Sequence, residues 1–384
     1  MPSPRWSIFL ILLAGCVLST PCAHAQHEEY VLGEDDDWQP TSIKPGSEQA
    51  LVLRARQALA RGDSERARAM AAAYLDKDEN GAFAAQMHMI RGDALLAMGD
   101  EYKALFDYED IARKHPGSDV FVPALEREYE IGVAYAHGLR RKFFGTFRIV
   151  DASDDAQELL ILIQERLPGS RLAEMAGMQL ADFYFRNAKL RLAADAYDLF
   201  IINYPESQKI DKARQRLIES YLASYRGPRY EATGLRDARA RIETLRVTQP
   251  ALAQRIGSDA LLVRIYESEA RKLLVTSQWY LSSGDPVSCE QYIRRLVRLY
   301  PDSVATLDAL RFLPRLIPQL PATVVRDGPD YDALSQSLLG ISLAGIKPAP
   351  QIPLPELPKL RTLVSPTPIV SNPTSNSPAS ETNQ

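Results

Sequence analysis

The stretch EYKALFDYEDIARKHPGS, from Glu101 to Ser118, decides how this chain folds. Its apolar residues recur every three or four positions, which predicts an amphipathic helix. Pro116 ends that helix, because proline has no amide N–H and clashes with the preceding turn. Ala104 stands twelve positions before this proline, and the same spacing recurs along the chain. The sequence therefore predicts one helical unit that is repeated.

Four other segments pair a small residue with a proline twelve positions later: Ala156 with Pro168, Ala193 with Pro205, Ala238 with Pro250, and Cys289 with Pro301. A weaker copy begins at Ala67 and has Glu79 where the proline would stand. Serines that follow four of the prolines are predicted to cap the next helix, namely Ser118, Ser170, Ser207 and Ser303. Glycine–aspartate turns are predicted to join helices at 62–63, 99–100 and 284–285.

This pattern resembles the tetratricopeptide repeat, a pair of antiparallel helices of about 34 residues. In the copy with the fullest pattern, the family's positions are taken by Gly92, Leu95, Gly99, Ala104, Tyr108 and Pro116. The P-x-S endings and the wider spacing of the units resemble the repeats of the BamD (ComL) family of outer-membrane assembly lipoproteins. The resemblance covers residues 47–313 and implies an all-α solenoid of antiparallel helix pairs that binds proteins in a groove.

The N-terminus resembles an export signal, since its apolar core at 8–14 is too short to span a bilayer of about 30 Å. Two processing sites remain open. The tetrapeptide LAGC that ends at Cys16 resembles a bacterial lipobox, in which Cys16 is lipidated and becomes the first mature residue. The tripeptide AHA at 23–25 instead resembles an ordinary secretory site, which would leave a soluble periplasmic protein that starts at Gln26.

Composition divides the chain into five segments. They are a signal region at 1–25, an acidic linker at 26–45, the repeat domain at 46–313, an irregular segment at 314–346 with proline breaks, and a tail rich in proline and serine at 347–384. The tail is predicted to be disordered, because such a composition cannot bury enough apolar surface to fold. Residues 251–283 are predicted to add an extra helix or one long helix, and 225–234 an ordered loop.

One insertion, at 137–153, separates the two helices of its repeat. Basic and aromatic side chains alternate in it, namely Arg140, Arg141, Lys142, Phe143, Phe144, Phe147 and Arg148. One interpretation is a contact with a protein partner or with lipid headgroups, for which the candidate residues are Arg140, Arg141, Phe143, Phe144 and Phe147. The other is that the phenylalanines pack on the repeats while the basic side chains face water.

Several classes of function are disfavoured. A net charge of −4 argues against a nucleic-acid partner, because phosphate binding needs a basic surface. Three cysteines cannot build a disulfide framework, and Cys289 is predicted to be a core thiol because it takes the small anchor position of a repeat. No catalytic, cofactor or metal motif occurs, and His88, His115 and His137 are expected to be scattered over different helices. The protein is therefore predicted not to be an enzyme.

The resemblance implies a scaffold lipoprotein on the periplasmic face of the outer membrane that takes part in inserting β-barrel proteins. Its partners would be the periplasmic domains of a BamA-like barrel and unfolded outer-membrane protein clients, although no individual binding residue matches the family's. The alternative is a periplasmic tetratricopeptide-repeat coordinator of envelope maintenance or division. An envelope enzyme with an accessory repeat domain is disfavoured, because no stretch is left for a catalytic domain.

The lipobox interpretation predicts that Cys16→Ala releases the protein from the membrane into the soluble envelope fraction. Multiple acyl chains contribute about 0.8 kcal/mol for each buried methylene, and the variant would lack all of them. Fractionation and immunoblotting measure the effect, and Cys22→Ala serves as the matched control. A Cys16→Ala protein that stays in the membrane fraction and starts at Gln26 would refute the lipobox.

Overall fold

The computed structural model describes residues 30–32, 38–40, 44, 46–143 and 147–350, and most of these residues are helical. In chain order the helices are α1 (Glu48–Ala60), α2 (Ser64–Lys77), α3 (Ala84–Ala97), α4 (Glu101–Lys114), α5 (Phe121–Ala136), α6 (Ser153–Arg166), α7 (Arg171–Arg186), α8 (Leu190–Asn203), α9 (Ile210–Ser224), α10 (Thr233–Thr248), α11 (Pro250–Arg255), α12 (Ser258–Ser282), α13 (Pro286–Leu299), α14 (Val304–Leu316), α15 (Ala322–Arg326) and α16 (Tyr331–Leu339). Helix pairs of tetratricopeptide type follow one another along the chain, which confirms the predicted all-α class.

Two short antiparallel hairpins interrupt this pattern in the described residues. Strand β1 (Tyr30–Leu32) pairs with β2 (Trp38–Pro40), inside the segment predicted to be an acidic linker. Strand β3 (Arg141–Phe143) pairs with β4 (Phe147–Val150), inside the insertion at 137–153. Neither hairpin was predicted, because an alternation of apolar and polar side chains over only three or four residues is a weak signal for a strand.

The small anchor residues of the repeats are all completely buried. Their exposed fraction is 0% in every copy, at Ala67, Ala104, Ala156, Ala193, Ala238 and Cys289. The helix that carries each anchor ends before the predicted breaker; α4, for example, ends at Lys114, two residues before Pro116. The repeat predicted from spacing is therefore the repeat that the structure contains.

The predicted glycine–aspartate turns are confirmed. Gly62, Gly99 and Gly284 have positive φ angles of 81°, 72° and 81°, which glycine adopts without the strain that a Cβ atom would cause. The aspartate after each glycine is the N-cap of the next helix. Its carboxylate accepts from the backbone amide three residues later, as Asp285 does from Ser288 at 2.9 Å.

Two of the four predicted serine caps are confirmed. The hydroxyl oxygens of Ser170 and Ser303 accept from the amides three residues later, both at 3.1 Å. Ser118 and Ser207 do not cap their helices, because the chain makes a further turn before α5 and α9 begin. In each of these turns the serine carbonyl accepts from the amide of the residue three positions later, at 3.2 Å and 3.0 Å.

The chain divides into two compact units, Met1–Gln179 and Leu180–Gln384. In the first, α1, α2 and α3 bury one cluster of apolar side chains, which includes Ala55, Ala67 and Met87. In the second, one cluster joins α9 to α12 around Ile242 and Ile265. A larger cluster in the second unit joins α12, α13, α14 and α16 with the chain that follows α16.

The segment that follows the last clear repeat is folded rather than irregular. Helix α14 runs through Pro314 to Leu316, and α15 and α16 follow a short 3-10 turn at Ile317–Gln319. The hydroxyl of Tyr331 at the start of α16 donates to the Glu290 carboxylate of α13 at 2.6 Å. The segment at 314–346 therefore packs back on α13 and α14. The tail beyond residue 350 lies outside the described residues.

Helices α3 and α4 approach closely at Gly92, and this contact yields a test of the repeat packing. A Cβ atom at Gly92 would lie 2.6 Å from Cε1 of the fully buried Tyr108. We expect Gly92→Ala to lower the free energy of unfolding by about 1–3 kcal/mol, because the added methyl group overpacks the interface. Urea denaturation followed by circular dichroism measures the change.

The matched control is Gly117→Ala in the turn after α4, where a Cβ atom would meet no atom within 4 Å. We expect this control to change the free energy of unfolding by less than about 0.5 kcal/mol. Equal stability of the two variants would mean that the α3–α4 contact does not constrain the fold.

Candidate functional site

The hairpin β3–β4 is held against the turn between α3 and α4 by its own cations. The Arg148 guanidinium donates to the Glu101 carboxylate at 2.7 Å and to the Gly99 carbonyl at 3.1 Å. The Lys142 ammonium donates to the Met98 carbonyl at 3.4 Å. Both carbonyls lie at the C-terminal end of α3, where the helix dipole favours cations. The hydrogen bond with Glu101 raises the pKa of Arg148, so this cation stays charged.

The start of the hairpin is fixed in the same way. The Arg141 guanidinium donates to the Asp155 carboxylate of α6 at 3.2 Å and stacks over the Tyr102 ring of α4, 4.7 Å from its centroid. Arg140 is exposed, and its carbonyl accepts from Arg148 at 3.1 Å. Three of the four cations that the sequence singled out therefore face the repeats instead of the solvent.

The apolar side chains of β4 point the other way. Phe147 is 67% exposed and Ile149 is 58% exposed, whereas Arg148 between them is half-buried. Phe143 pairs with Phe147 across the hairpin, and Phe144 lies outside the described residues. Of the residues proposed from the sequence, Arg140 and Phe147 are thus on the outer surface, and Arg141 is bound inward.

Sequence reasoning did not single out Ile149 or the inward anchors Glu101 and Tyr102. The run Phe147-Arg148-Ile149 has the alternation of a half-buried strand, and this was the available signal for Ile149. Glu101 and Tyr102 carried no signal, because they meet the hairpin only through contacts between residues about forty positions apart.

A second candidate surface lies in the unit Leu180–Gln384. A cavity of about 690 Å³ opens between the loop after α9 and the second half of α12. Among the described residues, its lining includes Arg229, Lys272, Val275 and Trp279 but no carboxylate. Lys272 donates to the carbonyl of Tyr230, and the Trp279 ring is 60% exposed. An open pocket of mixed polarity, with two cations and an exposed tryptophan, suits an acidic partner that also presents an apolar side chain.

A buried polar cluster joins α3 and α4. His88 Nδ1 lies 2.8 Å from the Asp107 carboxylate, which also accepts from the Arg91 guanidinium. His88, His115 and His137 lie in or at the end of three different helices, as expected, and the pairing of α3 with α4 brings the rings of His88 and His115 to 6.5 Å from each other. His88 Nε2 is buried without a hydrogen-bond partner among the described residues, so no described hydroxyl or thiol is placed for this histidine to activate.

The two cysteines with predicted roles lie in different parts of the chain. Cys16, the predicted lipidation site, lies outside the described residues. Cys289 is completely buried, as predicted, and burial raises the pKa of its thiol to about 11, so it carries no thiolate at neutral pH. The described residues contain no group of three or more acidic, histidine or cysteine side chains arranged for a metal ion. No described helix has both the length and the apolar composition that crossing a bilayer requires.

Comparison with known proteins gives one family match. Residues 150–321, less than half of the chain, match the family model of YfiO, described as an outer membrane lipoprotein. Over these residues the chain is similar to a family of outer membrane lipoproteins. Among curated proteins there is no match.

Three solved structures of repeat proteins align with the chain at low similarity. A thermophilic tetratricopeptide-repeat protein of Thermus thermophilus is 16% identical and aligns over 56% of this chain and 100% of its own, with a TM-score of 0.26. The C-terminal part of a repeat protein of Cytophaga hutchinsonii is 13% identical over 70% and 89%, with a TM-score of 0.34. PilF of Pseudomonas aeruginosa is 13% identical over 68% and 95%, with a TM-score of 0.27. At these TM-scores the superpositions add nothing to the helix pairing described above.

Glu128 on α5 is the described acid whose ionisation couples folding to pH near neutrality. Burial raises the pKa of its carboxyl to about 7, although the Arg166 guanidinium at 3.0 Å opposes this and Glu109 supports it. The unfolded chain releases this proton near the ordinary value of 4.5, whereas the folded chain keeps it up to about 7. The contribution of Glu128 to the free energy of unfolding therefore falls as the pH rises between these values.

We expect Glu128→Gln to remove this pH dependence, which amounts to at most about 3 kcal/mol between pH 4.5 and 7. Urea denaturation at a series of pH values measures it as the difference in free energy of unfolding between variant and parent. Glu130→Gln, an exposed acid on the same helix, is the control and should leave the profile unchanged. Parallel profiles for parent and Glu128→Gln would contradict the assignment.

Proposed function

We propose that this protein is a non-enzymatic scaffold lipoprotein on the periplasmic face of the outer membrane, where it takes part in the assembly of β-barrel proteins. The observation that carries the proposal is the match of residues 150–321 to a family of outer membrane lipoproteins. The helix pairs support it, because arrays of such pairs present broad surfaces to other proteins.

A binding role fits the described surfaces better than catalysis does. The buried ionisable groups are engaged in packing and ion pairs: Asp107 with His88 and Arg91, and Glu290 with Arg294 and Tyr331. The open features are instead exposed binding surfaces, namely the outer face of β4 and the cavity beside α12.

The cavity beside α12 is the proposed docking site for the periplasmic domains of a BamA-like barrel. It lies within the region that matches the lipoprotein family. Trp279 offers an exposed aromatic anchor, a residue type that contributes strongly to binding energy at protein interfaces. Lys272 and Arg229 give the cavity a positive charge that would select an acidic patch on the partner.

The test is affinity purification of the tagged full-length protein from detergent-solubilised envelopes, with mass spectrometry of the proteins that are recovered. We expect a BamA-type barrel to co-purify with the parent protein and to be largely lost with Trp279→Ala or Lys272→Glu. Val247→Ala, which changes an 84% exposed side chain elsewhere in the same unit, is the control and should retain the barrel. Equal recovery of the barrel with all variants would show that the cavity is not the docking site.

The second candidate function is a periplasmic coordinator of envelope maintenance or division. Recovery of Tol or peptidoglycan-synthesis proteins without any barrel would favour this role, and Cys16 would then be at most an anchor. The same purification thus separates the two functions.

A further inference from the structure

Strand β4 leaves one of its edges unpaired. Within the described ranges it belongs to a sheet of two strands, and its one partner there is β3. In the part of the chain that the structure describes, no other backbone hydrogen bond reaches residues 147–150. An edge of this kind presents a row of free N–H and C=O groups, which is a template for pairing with another extended chain.

Some of the devices that protect natural edge strands are present in β4, and others are absent from its described surroundings. Proteins commonly place an outward lysine, a proline or a covering helix at such edges. The one charged residue of β4 is Arg148, and its guanidinium is turned inward to Glu101 and to the carbonyls of Gly99 and Arg140. The protections present are the shortness of β4, the inward-pointing charge of Arg148 and the register shift opposite Arg141 and Lys142, and they limit any added strand to a few hydrogen bonds.

The side chains on the outer face of β4 suit an apolar strand. Phe147 and Ile149 are both more than half exposed and stand on the same face, two residues apart. At the foot of the hairpin, Arg141 stacks on Tyr102, which packs edge-on against the exposed Phe106 ring at 5.2 Å. An incoming strand with alternating apolar side chains would cover apolar surface while its backbone pairs with the free edge.

We propose that β4 is a docking edge for an extended, unfolded polypeptide segment with alternating apolar side chains, held by strand addition. The choice of occupant rests on the proposed function, because unfolded β-barrel clients consist of such segments. Strand addition obtains its affinity from main-chain hydrogen bonds and its selectivity from the alternate side chains.

A lipid surface is the weaker candidate for the same face. Three of the four hairpin cations are bound to groups of this chain, so only Arg140 is left to meet anionic headgroups. Lipid also offers no row of donors and acceptors that would pair with the strand edge.

The experiment measures binding of a fluorescent peptide of about ten alternating valine and threonine residues to the purified full-length protein by anisotropy. A second peptide has the same sequence but is N-methylated at every residue, which removes its hydrogen-bond donors and increases its apolar surface. We expect the methylated peptide to bind at least about tenfold more weakly, which corresponds to about 1.4 kcal/mol. Amide hydrogen exchange at residues 147–150 should slow when the unmodified peptide binds.

The variant that tests the edge is Ile149→Lys, which adds the outward lysine that natural edges use. We expect it to weaken binding of the unmodified peptide at least about tenfold. Val247→Lys places the same charge at another exposed position and should bind the peptide like the parent. The inference fails if the unmodified peptide does not bind, if methylation leaves binding equal or stronger, or if Ile149→Lys has no effect.

Vesicles of phosphatidylglycerol and phosphatidylethanolamine provide the competing probe. Sedimentation of the parent but not of Ile149→Lys with these vesicles, together with no peptide binding, would assign the face to lipid and overturn the inference. These experiments distinguish a failure of the docking edge from a failure of the proposed function. A barrel that still co-purifies in the absence of peptide binding refutes only the docking edge. Methylation-sensitive binding without any barrel supports the edge and refutes the assembly role.

Discussion

Close contact between a small residue on one helix and the side chains of its neighbour is the constraint on which the repeats depend. Every anchor, whether alanine or Cys289, is completely buried, and at Gly92 even a methyl group would collide with Tyr108. A larger side chain at these positions would force the helices apart and expose the apolar stripes that they share. Because the contact needs small residues at fixed distances from a helix end, it leaves a spacing in the sequence that can be read directly.

The same turns that join the helices also hold the insertion. The Gly99 turn ends α3 with carbonyls that have no partner within the helix, and the cations of the hairpin use these carbonyls. The hairpin therefore has a rigid base, although it is only two strands wide and would be marginal in isolation. With Arg148 bound inward, the outward face of β4 is left to Phe147 and Ile149. The inward binding of Arg148 therefore also explains why the apolar side chains of β4 are exposed.

Whether a feature could be predicted from the sequence depended on how far apart along the chain the interacting residues stand. Ala104, Gly99 and Pro116 act through neighbours within one helix pair, so their roles were readable from spacing. The placement of Arg148 on Glu101 and the approach of His88 to His115 depend on pairing between separate helices, which a single sequence does not display. At 314–346 the helices are interrupted where Pro318, Pro321 and Pro329 suggested breaks, while burial of Leu316 and Leu320 keeps the segment packed.

The hydrogen bond between Tyr331 and Glu290 restricts where the chain can be lengthened. Because α16 and the chain that follows it cover the last helix pair, a duplicated repeat added there would have to displace a packed segment and leave Glu290 buried without the hydroxyl that it accepts from. Residues added in a connection between two helices do not have to displace this terminal segment. The hairpin segment at 137–153 and the loop at 225–232 both lie in such connections, so the chain already carries its longest connections where no packed terminal segment has to move.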